Sequence, residues 1–179
     1  MFFEKEKRTL SNILEETMHY LFCNLIDIEQ KLALEREELL CTIVVAVVDA
    51  QAKKAETIAI GDGLIAYNGK IVDYEQDDRP DYMAYHLKKD FKIWYLGQKQ
   101  RLSLDNLFDL SICTDGIFTF REFDNRFKID KTTEEIIDVL LINEQYKDSE
   151  LMLKKKMIDI DTNFGLKPSD DLAVIRVIF

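Results

Sequence analysis

Three short acidic motifs stand at the ends of apolar runs: Gly61-Asp62-Gly63, Thr114-Asp115-Gly116 and Ser169-Asp170-Asp171. A carboxylate at a strand end is held by the sheet yet open to water. Several converging there make a hard oxygen site suited to Mg²⁺ or Mn²⁺. The glycine beside Asp62 and beside Asp115 lets the backbone turn sharply next to an ion. Taken singly, the same Asp-Gly pairs serve as ordinary turn residues, so order and context must choose between the roles.

Other phosphate chemistries fail on spacing. A cysteine phosphatase loop needs Cys and Arg separated by five residues; Cys113 meets Thr119 at that distance, and Arg121 comes too late. Asp159-Ile160-Asp161-Thr162-Asn163 approaches the Asp-x-Asp-x-Thr/Val pattern of aspartyl-phosphate hydrolases, but basic residues precede it and it reads as a helix end. Gly63 to Lys70 is one residue too long for a phosphate loop, and Ile71 lacks the metal-binding hydroxyl. His19 and His86 stand alone, without the Cys/His clusters of zinc sites, and read as surface or packing residues. Trp94, beside Tyr95, reads as core.

The elements that must carry the acidic motifs follow from apolar spacing. Leu14, Met18, Leu21, Leu25, Ile28 and Leu32 recur at three and four residues, which predicts a helix over 12–35 capped by Asn12, with Glu15 reaching back. Cys41 to Val48 is a continuous run rich in β-branched residues and predicts a strand buried on both faces. Thr57 to Ile60 predicts a second strand. Leu64–Tyr67 and Lys70–Asp73 flank Asn68-Gly69, a strong hairpin signal because both turn residues accept positive φ. Glu75 to Asp81 is acidic and irregular. Phe91–Leu96 and Leu107–Cys113 read as strands, Thr132–Leu141 and Ser149–Ile158 as helices, and Leu172–Phe179 as a closing strand interrupted by Arg176.

With 179 residues and 47% apolar content, the chain suits a single α+β domain over 1–179, with no internal linker. A net charge of -10 repels nucleic acid and anionic membrane. No apolar run reaches the ~18 residues a membrane span needs, and the charged N-terminus is no signal peptide. Cys23, Cys41 and Cys113 sit in apolar stretches at irregular spacing and read as buried reduced thiols of a cytoplasmic protein.

The order of the motifs resembles the metal-dependent protein phosphatase 2C family. Ile58 to Lys70 resembles the family segment in which a Gly-Asp-Ser turn leads into a hairpin; here Gly63 replaces the serine and Leu64 a common arginine. Leu110 to Phe118 resembles its strand ending in Ser/Thr-Asp-Gly. Ser169 to Val177 resembles its closing strand, opened by Asp-Asn or Asp-Asp. The helix before Cys41 and the Cys41-Thr42 strand start fit the same order, so the likeness runs from about residue 12 to the end.

This resemblance implies two antiparallel sheets packed face to face with helices outside, and hydrolysis of phosphoserine and phosphothreonine by a bacterial-type enzyme using Mn²⁺ or Mg²⁺. It makes Asp115 and Asp170 metal ligands, Asp62 a ligand of a weaker accessory position, and Asp171 an outer neighbour at most. It also implies a bridging carboxylate in an Asp-Gly-x-Gly motif before the long helix, with a phosphate-gripping arginine nearby. None of the residues before position 12 forms that motif. The expectation is therefore impaired activity, or a non-catalytic module that keeps the fold and binds a phosphoprotein or another partner protein. Asp73, Asp77 and Asp78 are the first substitutes to consider. The family's N-terminal segment supplies strands too, so an uncovered sheet edge is expected, with Cys41 to Val48 as its apolar candidate. Met1–Leu10, a second copy of the chain or a partner would cover it.

Overall fold

The computed structural model describes residues 8–74, 76, 80–123 and 131–179. Its helices are α1 (Leu10–Leu32), α2 (Phe91–Leu96), α3 (Thr133–Ile137) and α4 (Met152–Phe164). Its strands are β1 (Ile43–Asp49), β2 (Lys54–Ile60), β3 (Leu64–Tyr67), β4 (Lys70–Asp73), β5 (Arg101–Leu104), β6 (Asp109–Cys113), β7 (Phe120–Glu122), β8 (Leu166–Pro168) and β9 (Val174–Ile178). All the strand pairing is antiparallel, so the expected class of antiparallel sheets with helices is what forms. The chain divides into two compact units. One runs to Gly61 and resumes at Glu75 to end at Asn106; the other comprises Asp62–Tyr74 and Leu107–Phe179.

In the first unit the sheet order is β1-β2-β5. Helix α1 begins two residues before its expected start because Thr9, extended at φ -77 and ψ 156, caps it by accepting from the Asn12 amide at 3.2 Å. Glu15 does not reach back; it pairs with Lys92 on α2. Leu14, Met18 and Phe22 form the buried stripe and pack with Ile58, Ile60, Met83 and Trp94. Each fully buried side chain of this size contributes about 1.5–3 kcal/mol. Trp94 is core, as its sequence context suggests.

Two expectations fail in this unit. Residues 91–96 form a helix rather than a strand, because the Asp90 side chain accepts from the Ile93 amide at 3.0 Å and nucleates a turn. The helix then sends Trp94 and Tyr95 inward while Ile93 and Leu96 stay exposed. The run expected as a strand buried on both faces is β1, which among the described residues lies at the edge of its sheet and is half-buried throughout. β-branched content reports fitness for a pleated surface, not position within the sheet.

In the second unit the order is β4-β3-β6-β9, with β7 and β8 forming a separate pair. The β3–β4 hairpin turns on Asn68 at φ 49 and Gly69 at φ 74, as read from the sequence. The Asn68 amide donates to the Asp109 carboxylate at 2.7 Å, and the Asn68 side-chain oxygen accepts from the Phe108 amide at 2.7 Å. One sheet face carries Leu64, Ala66 and Cys113, which pack against Ile136, Leu140, Leu141 and Ile160.

The capping box at Thr132 and Glu135 forms as expected, but α3 widens after Ile137 into a π-helical turn over Asp138–Ile142. Helix α4 runs past its expected end to Phe164 and stops at Gly165, φ 67. Asp159 to Asn163 therefore lies inside a helix and forms no phosphohydrolase loop. Cys23 and Cys41 are exposed, against expectation, while Cys113 is buried; all three are free thiols. No described helix is long and apolar enough to cross a membrane.

Candidate metal and phosphate site

Strand register brings the three acidic motifs to one end of the four-stranded sheet. Leu64 pairs with Cys113, Cys113 with Val174, and Leu64 with Asp73, so one row ends four strands together. Asp62 lies two residues before Leu64 and Asp115 two residues after Cys113. The ladder ends at that pair: Asp62 lies in the bend before β3, and Asp115 opens the 3-10 turn after β6. Asp170 and Asp171 lead into β9 from this same end.

Two of the turns are locked to each other. The Thr114 amide donates to the Ala173 carbonyl at 3.1 Å, and the Thr114 hydroxyl accepts from the Ala173 amide at 3.0 Å. That hydroxyl also donates to the Asp171 carbonyl at 3.1 Å. Past the 3-10 turn Asp115–Phe118, the Thr119 hydroxyl donates to the Gly116 carbonyl at 2.8 Å and accepts from the amides of Ser169 and Asp170, both at 3.2 Å. Ser169 returns its hydroxyl to the Thr119 carbonyl at 3.0 Å.

Gly116 explains why this approach is possible. A Cβ there would lie 2.3 Å from the Asp171 carbonyl oxygen and 2.8 Å from its carbon. Both are backbone atoms that cannot swing aside, so glycine is required by the close passage of the two turns. Gly61, at φ 84, is the second position where glycine is needed, since few other residues adopt that conformation.

The carboxylates are presented to solvent: Asp115, Asp170 and Asp171 are exposed, and Asp62 is half-buried. The Asp170 Oδ1 accepts from the Asp171 amide at 2.8 Å, which fixes that side chain. Behind them, burial pushes the Cys113 thiol up to about 12, and the negative charge of Asp115 adds to the effect. This thiol is thus neutral and no nucleophile. The donor set is all carboxylate oxygen and fits Mg²⁺ or Mn²⁺ by type. Among the described residues, however, no three His, Cys, Asp or Glu side chains are gathered as a group able to hold a metal ion.

Beneath the sheet, two cations brace the π-helical turn. Lys156, fully buried, donates to the Val139 carbonyl at 2.6 Å and to the Asn143 carbonyl. The Arg176 side chain donates to the carbonyls of Asn143 at 2.7 Å and Ile142 at 2.6 Å, and pairs with Asp109 at 2.9 Å. These carbonyls end a helix and lack partners within it. Burial and the neighbouring Arg176 charge lower Lys156 to about 8. Beside Asp170 and Asp171 opens a groove of about 410 Å³, lined also by Leu140, Met157, Leu172 and Lys154.

Asp62, Asp115 and Asp170 thus all sit at one sheet end, and so does Asp73, through its pairing with Leu64. Asp77 and Asp78 lie outside the described residues. Sequence reasoning missed the two threonine hydroxyls and the Lys156–Arg176 brace. A threonine on each side of Asp115-Gly116-Ile117-Phe118 was the available signal.

No family model matches the chain, and no curated protein does. Among solved structures it is similar to the phosphatase domain of the cell fate determinant SpoIIE from Bacillus subtilis, at 14% identity and a TM-score of 0.40, covering 98% of this chain and 75% of that one. The Mn-presoaked form of that domain gives 16% identity and a TM-score of 0.42, covering 99% and 76%.

Proposed function

We propose that this chain is a cytoplasmic protein phosphatase 2C-like domain that acts on phosphoserine and phosphothreonine with Mn²⁺ or Mg²⁺. The observation that supports this most is the locked pair of turns, in which Thr114-Asp115-Gly116 and Ser169-Asp170-Asp171 meet at one sheet end. In this reading Asp115 and Asp170 hold an ion and Asp62 holds a weaker accessory one. Such an ion lowers the pKa of its bound water and clamps phosphoryl oxygens. The chain's own contribution is positional: Thr114, Gly116 and Thr119 hold the two aspartates on adjoining backbones.

Low activity belongs to this reading, because the described carboxylates are not gathered into a group of three. The second reading, a non-catalytic module of the same fold that binds a phosphoprotein, is favoured by the absence of a three-acid group among the described residues. Hydrolysis of para-nitrophenyl phosphate and of a phosphothreonine peptide, with and without Mn²⁺, separates the two. The enzyme reading expects weak turnover that depends on Mn²⁺ and disappears in Asp115→Asn and Asp170→Asn. Turnover that ignores both substitutions would contradict it, and phosphopeptide binding without turnover supports the second reading.

A further inference from the structure

The free edges of the described sheets are not alike. β4 carries Lys70 and Asp73, β5 carries Arg101, and β9 carries Arg176, whose charge points inward under the sheet. Charged side chains on an edge are the usual protection against a further strand. β1 lacks that protection: Ile43-Val44-Val45-Ala46-Val47-Val48 has neither charge nor proline, and Asp49 at its end is engaged by the amides of Gln51 and Ala52. It is also among the longest strands, at seven residues, or roughly 23 Å of edge. Among the described residues β1 has a strand on one side only, β2.

The edge is already ordered. Ile43, Val45 and Val47 pack on the cluster that holds Leu14, Met18 and Phe22. Adding a strand to a fixed edge costs little further conformational entropy on the β1 side.

We propose that two copies of this chain pair along β1, antiparallel about a two-fold axis, into one continuous sheet with three strands from each copy. Side chains that face each other across an antiparallel pair share a sheet face, so a symmetric register must pair positions of equal parity. Centred on Ala46, it sets Ala46 against its counterpart, Val45 against Val47, Val44 against Val48 and Ile43 against Asp49. The two Asp49 side chains then fall at opposite ends, roughly 20 Å apart, so like charges do not meet.

The ends are complementary as well. The turn that follows β1 carries exposed Lys53, and the segment before β1 carries exposed Glu37 and Glu38. An antiparallel register brings the Lys53 turn of one copy alongside the Glu37–Glu38 segment of the other, once at each end. Apart from Ile43 against Asp49, neutral meets neutral along the edge; past it the Lys53 end of one copy runs towards the other's Glu35-Arg36-Glu37-Glu38 segment, acidic on balance, which favours a second copy over an unrelated strand. The inference is independent of the phosphatase reading.

Sedimentation equilibrium of the full chain over about 1–200 µM tests it first. The expected result is a reversible rise from 21.0 kDa to twice that mass; a mass fixed at the monomer value overturns the proposal. Geometry is tested by Ala46→Cys in a Cys23→Ser, Cys41→Ser background under mild oxidation. A disulfide-linked dimer is expected there but not with Ile175→Cys on exposed β9, and the opposite pattern overturns the register. Should Ala46→Cys misfold, hydrogen exchange on the unaltered chain decides: β1 amides are expected to slow as concentration rises. Protection that is equally strong at all concentrations means the edge is covered within one chain and refutes pairing between copies.

Discussion

The hydroxyl of Thr114 donates to the carbonyl of Asp171 at 3.1 Å and so joins two turns that are 57 residues apart in the chain. The same oxygen accepts from the Ala173 amide, and one side chain thereby serves both backbone groups. Thr114→Val keeps the shape and removes both bonds. The expected loss is about 0.5–1.5 kcal/mol, because both bonds are exposed and water can replace the lost partner. Chemical denaturation of the variant measures it.

Gly116→Ala is expected to be worse than its single methyl suggests. The new carbon would press on the Asp171 backbone, which can yield only by separating the two turns. A loss of about 2 kcal/mol or more is expected, together with any divalent-metal affinity. Alanine at Gly69, where a Cβ meets nothing within 4 Å but the φ is 74, serves as the contrast: stability falls there while metal affinity stays.

Lys156 sets a pH dependence whose sign is fixed. Its folded pKa is lowered to about 8, so above that value the folded chain releases a proton that the unfolded chain still holds. Stability therefore rises with pH from about 8 towards the ordinary lysine value, by about 1 kcal/mol between pH 7 and pH 9. Thermal melts of the wild type and Lys156→Met across that window isolate this effect. The wild type is expected to gain about 2–4 °C relative to the variant.

The three thiols are expected to react unequally with a disulfide reagent. Cys23 and Cys41 are exposed, whereas Cys113 is buried with its thiol pushed up to about 12. Native protein should release two equivalents promptly and the third only in denaturant. Burial also raises Cys41, so Cys23 is expected to react first. Prompt reaction of Cys113 would contradict the packing of β6.

Legibility from sequence followed the range of the forces involved. Asn68-Gly69 and the Thr132 capping box were read correctly because the backbone demands they meet lie within four residues. Residues 91–96 read as a strand from the sequence but form a helix, because one hydrogen bond to the Asp90 side chain decides the local turn. The run Cys41 to Val48 reads as a strand buried on both faces, whereas β1 has one neighbour among the described residues, because nothing in the run itself says how many neighbours it has. The three acidic motifs were visible as letters. Their common sheet end depends on register between strands tens of residues apart, and the Thr114–Asp171 lock and the Lys156–Arg176 brace depend on tertiary contact.

Divalent-metal binding at the Asp115–Asp170 turns is measured directly by isothermal titration of the full chain with Mn²⁺. The wild type is expected to bind with a dissociation constant below about 1 mM and to melt higher in excess Mn²⁺. Asp115→Asn and Asp170→Asn are each expected to abolish both effects while keeping the fold, and Asp62→Asn to weaken them less. A wild-type chain with no heat of binding and no change in melting temperature, or an equal response in the Asp115→Asn variant, would contradict the assignment.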